Sequence, residues 1–108
     1  MSDIFNDIYA VVRLIPDGKV TSYGAIANYL GSKKSARVVG WAMNQVPKNS
    51  GIPAHRVVNR NGCLTGRHHF IPPEKMQQLL EAEGIVISNH CIENFDSCFW
   101  DPSIHLGL

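Results

Sequence analysis

Apolar residues recur at three- and four-residue steps through Ile4, Phe5, Ile8, Val11, Val12 and Ile15, which predicts an amphipathic helix over residues 3–14 with Asp3 as its N-cap. Pro16-Asp17-Gly18 stops it with turn chemistry, and Lys19-Val20-Thr21 reads as a short extended piece. Ser22 is placed to cap a second helix, Tyr23 to about Leu30, with Ile26, Ala27 and Leu30 inward and Gly31 closing it. A third helix runs from about Ser35 to Gln45. Val39, Ala42 and Val46 form its core stripe, while Ala36 and Gly40 leave another stripe almost without side chains. Close helix packing is the default reading of that bare stripe; close approach of a ligand is the other.

After a loop over residues 47–53, residues 56–70 read as a hairpin or wing: Val57-Val58, the turn Asn59-Arg60-Asn61-Gly62, then Cys63-Leu64. Pro72-Pro73 introduces a last helix, about Glu74 to Glu83, which turns Met76, Leu79, Leu80 and Ala82 inward and ends at Gly84. Ile85-Val86-Ile87 and Ile92-Glu93-Asn94-Phe95 flank Ser88-Asn89-His90 as a small hairpin, and Phe99-Trp100 folds back on the body. The pattern predicts a mostly helical α+β fold, one domain over residues 1–108. The pair of short helices makes a helix-turn-helix plausible, although such pairs also occur in folds that bind nothing.

Composition narrows this only slightly. With 44% hydrophobic and 18% charged residues in 108, the chain is of ordinary globular type. No apolar run approaches the roughly 18 residues of a membrane span, so the expected place is the cytoplasm, with nucleoid association in a bacterium. Cys63, Cys91 and Cys98 are an odd count with no CxxC pair, which predicts reduced thiols and no disulfide framework. A net charge of +1 argues against a large basic surface but leaves room for a small site with a few Arg and Lys contacts.

The candidate chemistry lies in Ile52-Pro53-Ala54-His55-Arg56-Val57-Val58, a turn feeding a short strand. A histidine beside an arginine at such a junction needs partners if buried and serves a ligand if not. Cys63 has no sequence neighbour to lower its pKa and reads as a packed thiol. His68 and His69 point opposite ways in a strand and fit no ligand spacing with His55, so neither a metal nor a cofactor is expected.

Residues 52–58 resemble the Pro-Cys-His-Arg-Val motif of the O6-alkylguanine-DNA alkyltransferases, with Ala54 at the reactive cysteine. Three further motifs keep the same order. Residues 16–24 resemble the turn before that family's first DNA-binding helix, residues 36–43 its recognition helix, and residues 79–85 its closing helix. The chain is thereby identified with the alkyltransferase-like proteins, and the resemblance covers about residues 4–87.

The resemblance implies a winged helix-turn-helix like the alkyltransferase C-terminal domain, presented to the minor groove by the small Ala36/Gly40 face. It makes Arg37 the finger that fills the gap left by an extruded base, and Tyr23 the residue that crowds the target phosphate. Pro53, Ala54 and Arg56 line or support the base site, and Arg67 falls where a relative stacks an arginine on the bound base. His55 and Glu83 match the family's activating histidine and its orienting glutamate. Alanine has no lone pair to accept an alkyl group, so the implied activity is non-enzymatic.

The resemblance further implies binding of O6-alkylguanine in double-stranded DNA by base flipping, as a monomer, with hand-over to nucleotide-excision repair proteins. Most alkyltransferase-like proteins carry tryptophan where this chain has Ala54. Competing readings are a methyltransferase working through Cys63, a hydrolase using water activated by His55, and a winged-helix regulator of undamaged DNA.

Overall fold

A computed structural model describes residues 4–31 and 35–106, which leaves Asp3 and its capping role outside the described residues. Helix α1 spans Ile4–Val12 and buries Ile8, Tyr9, Val11 and Val12. The turn after it leads into strand β1 (Thr21–Ser22). Ser22 then caps α2 (Tyr23–Leu30): its side chain accepts the Ala25 amide at 3.1 Å. Ser35 does the same for α3 (Ala36–Asn44), accepting the Val38 amide at 3.2 Å. These caps satisfy amides that the first helical turn leaves without partners. Helices α1, α2 and α3 pack together around Val12, Ile26, Val39 and Ala42, with Trp100 closing the cluster.

A 3₁₀ turn at Ala54–Arg56 delivers strand β2 (Val57–Val58), which pairs in parallel with β1, Thr21 against Val57 and Ser22 against Val58. Successive strand residues point to opposite faces. Val57 accordingly joins the three-helix cluster, and Val58 a second cluster with Val20, Leu64, Met76 and Leu80. The short parallel pair is the wall between two small cores.

The second core is built by a 3₁₀ turn at Thr65–His69, helix α4 (Glu74–Ala82), and the hairpin of β3 (Ile87–Ser88) with β4 (Cys91–Ile92). Two further single-turn helices, α5 (Phe95–Cys98) and α6 (Pro102–His105), end the described chain. Among the described residues no helix is long and apolar enough to cross a membrane.

Three expectations are corrected. Residues 56–70 do not form a hairpin: Val57-Val58 takes β1 as its partner, and Cys63 bridges to Cys91. The cause is the turn between them. The Asn59 side chain accepts the amides of Asn61 (2.9 Å) and Cys63 (2.8 Å), Gly62 sits at φ +81°, and the chain leaves toward the C-terminal hairpin, where the Leu64 amide reaches the His90 carbonyl at 2.8 Å. The same route puts Cys63 opposite Cys91, and the two are joined in a disulfide rather than held as thiols. Ala82 is exposed, because the inward stripe of α4 runs from Met76 through Leu80 to Glu83.

Candidate nucleic-acid interface

Ala54 and His55 open onto a cavity of about 620 Å³ between the three-helix cluster and α4. Its lining is mixed, with Met43, Ile52, Val57, Met76 and Leu79 on the apolar side and Tyr23, Asn44, Asn49 and His69 among its polar groups. Lys48 and Lys75 add two cations to its lining. The volume falls within the range of small-ligand sites. The local cationic edge answers the near-neutral total charge, since a site field depends on nearby groups.

Behind Ala54 lies a hydrogen-bonded cluster centred on Glu83. Its Oε1 accepts the Gly18 amide at 2.8 Å, and its Oε2 lies 2.7 Å from His55 Nε2. Arg56 closes the third side, with Nε at 3.1 and 3.0 Å from the two carboxylate oxygens and Nη2 at 2.9 Å from Oε2. Arg56 Nη1 also donates to the Ile15 carbonyl at 2.8 Å. One carboxylate thus ties the 16–18 turn, the 54–56 turn and the end of α4 together. Partial burial alone would raise the Glu83 carboxyl. The Arg56 and His55 hydrogen bonds, the Gly18 amide and the charge of a protonated His55 outweigh that and hold it down to about 2. Against a carboxylate, His55 Nε2 must carry the proton, which in the neutral ring leaves Nδ1 as the acceptor.

Tyr23 stands at the start of α2 on the cavity wall. Burial pushes its phenol up, opposed by a hydrogen bond with the Thr65 side chain. Gly66 lies against it so closely that a Cβ there would sit 2.8 Å from the Tyr23 hydroxyl. Gly66→Ala should therefore lower stability by about 1–3 kcal/mol, read by thermal melting. Tyr23→Phe in the same chain should return part of the loss. An unshifted melting curve for Gly66→Ala would disprove the contact.

On α3, Val39, Ala42 and Met43 face the core, while Ala36, Arg37, Trp41 and Asn44 are exposed. Among the described residues nothing lies within 4 Å of where a Gly40 Cβ would stand, and the same holds at Gly24 on α2. Among the described residues nothing packs on the Gly40 part of the bare stripe, contrary to the default reading of it. It is open for something outside the chain to approach closely.

The structure brings Tyr23, Ala54 and His55 to one cavity and puts Ala36, Arg37 and Gly40 on the adjoining helix face. Pro53 and Arg56 stand beside and behind Ala54 without lining the cavity. Arg67 lies elsewhere: its Nη1 donates to the Leu64 carbonyl at 3.0 Å, and it lines a separate pocket of about 40 Å³ with Pro73, Gln77 and His90. Cys63 is taken out of the reckoning as a nucleophile by its bond to Cys91. Sequence reasoning missed Gly66, Lys48, Lys75 and Trp41. Only Trp41 carried a signal, as a large ring on a face otherwise stripped of bulk.

The family described as 6-O-methylguanine DNA methyltransferase, DNA binding domain, matches residues 3–85. Alkyltransferase-like protein 1 of Schizosaccharomyces pombe is 37% identical over 106 residues, 94% of this chain and 98% of that protein. The DNA base-flipping protein of Escherichia coli is 41% identical over 81 residues, 75% of this chain; the match spans 61% of that longer protein. The crystal structure of S. pombe Atl1 in complex with damaged DNA containing O6-carboxymethylguanine shares the fold with a TM-score of 0.80 at 32% identity, covering 94% of this chain and 100% of that one. The α+β winged helix-turn-helix architecture is therefore common to both.

Proposed function

The chain belongs to the 6-O-methylguanine DNA methyltransferase DNA-binding-domain family, and we propose that within it this protein is a non-enzymatic sensor of O6-alkylguanine in double-stranded DNA. The observation that carries the reading is Ala54 on the wall of a cavity roomy enough for an extruded base, beside an otherwise complete His55–Glu83–Arg56 cluster. A methyl side chain has no electron pair to form a bond to carbon, so an alkylated base is held and not repaired. The open, small face of α3 enters the minor groove with Ala36 and Gly40 against its walls. Arg37 takes the extruded base's place in the stack, and Tyr23 crowds its phosphate.

Ala54 faces the base with Pro53 beside it, and Arg56 holds the turn that carries them. Arg67 reaches the base only on giving up its bond to the Leu64 carbonyl. The held lesion passes from a cytoplasmic monomer to nucleotide-excision repair proteins. Relatives that are an alkyltransferase-like protein and a DNA base-flipping protein support the base-flipping part of this reading.

The test uses two duplexes that differ in one O6-methylguanine. The expected result is tighter binding to the lesion duplex with no mass added to the intact chain. In a mixture, excess protein should slow a limiting alkyltransferase acting on the same lesion. Equal affinity for both duplexes, or a methyl adduct on the chain, would overturn the proposal.

A further inference from the structure

Trp41 is half exposed, at 51%, on the helix face where Ala36 and Gly40 present almost no side chain. About half of the ring's surface faces solvent, and the part that does not is available to a neighbour on the same face. Its neighbour one turn earlier is Arg37, whose guanidinium carbon lies 5.8 Å from the indole centroid. That spacing of four residues puts the two on one helix face, within range of a cation–ring attraction. Among the described residues no carboxylate or carbonyl holds Arg37, so the indole is its partner there.

An arginine that must enter a base stack loses its rotamer freedom on doing so. A side chain already laid along the outer face of α3 has less to lose, which is the general advantage of pre-ordering. We propose that Trp41 is a positioning residue for Arg37: its ring holds the guanidinium over the outer face of α3, ready for insertion into the duplex. The inference rests on the reading of Arg37 as the flipping residue. It adds a residue that acts on DNA through another side chain.

The experiment has a DNA-free arm and a DNA arm. In the free protein, ring-current shifts of the Arg37 side-chain protons should be present, retained in Trp41→Phe and lost in Trp41→Leu, with melting temperatures alike. On O6-methylguanine duplex, Trp41→Leu should raise Kd about two- to fivefold and lower the fluorescence of a reporter base at the flipped position. Trp41→Phe should recover most of both. In an Arg37→Ala background, Trp41→Leu should add nothing. An equal loss in that background means that the ring touches DNA itself, and overturns the proposal. So does an unchanged or lower Kd in Trp41→Leu, or the absence of ring-current shifts. If the wild type binds both duplexes equally, the sensor reading falls while the same cycle on plain duplex still judges the pairing. A chain that binds neither duplex overturns both.

Discussion

Ala54→Cys should convert this chain into one that takes a single methyl group from an O6-methylguanine duplex, whereas the natural chain takes none. The machinery that would activate a thiol is in place. Glu83 fixes His55 through Nε2 at 2.7 Å, leaving Nδ1 to accept the thiol proton through water. The thiolate then attacks the methyl carbon: the S–C bond forms as the C–O6 bond breaks, and the electron pair leaves with guanine, which takes up a proton. Other thiols offer little background. Cys63 and Cys91 are paired, and burial pushes the Cys98 thiol up, with the Lys19 charge and its own backbone opposing. Intact-chain mass after single-turnover incubation reads the result. Adding His55→Gln should slow the transfer by about 10²-fold or more, the usual contribution of a positioned base. Ala54→Cys that binds the lesion and gains no mass would mean that the cluster only braces the fold.

Much of this arrangement could be read from the sequence because its determinants are local. Ser22 and Ser35 announce helix starts through side chains that bond amides three residues on, and Asn59 and Gly62 announce a turn. The four motifs then assigned the family. What was not legible depends on residues far apart in the chain. Val57-Val58 could not declare that its partner is Thr21-Ser22 in parallel, nor Cys63 that it meets Cys91. The positions of His55 and Glu83 were legible by resemblance. The part played by Gly18's amide and Ile15's carbonyl in the same cluster was not, because backbone groups leave no mark in a sequence. The Ala36/Gly40 stripe shows the limit most clearly. Its smallness was legible, but only the empty space beside Gly40 separates helix packing from an approach by another molecule.

Glu83→Gln should be among the most destabilising single changes in the chain, and its effect should depend on pH in a defined direction. Its carboxylate is only 10% exposed and balances Arg56, so removing the charge leaves a largely buried guanidinium with only the exposed Asp17 carboxylate, at 3.4 Å, as counter-ion. A carboxyl held below its unfolded value adds stability that is fully present above pH 4.5 and is lost as pH falls toward the folded value of about 2. The interval between those values corresponds to at most about 3 kcal/mol, which solvent screening reduces to about 2. For a chain of this size that is roughly 10 °C in melting temperature at neutral pH. Melts of wild type and Glu83→Gln, taken from pH 7 down to pH 2, should therefore start apart and converge below pH 4.5. The convergence separates this account from a packing defect, since glutamine keeps the size of the side chain. Parallel curves across that window would remove the charge from the explanation. The same substitution placed in Ala54→Cys should also slow alkyl uptake, because His55 loses the partner that fixes its proton on Nε2.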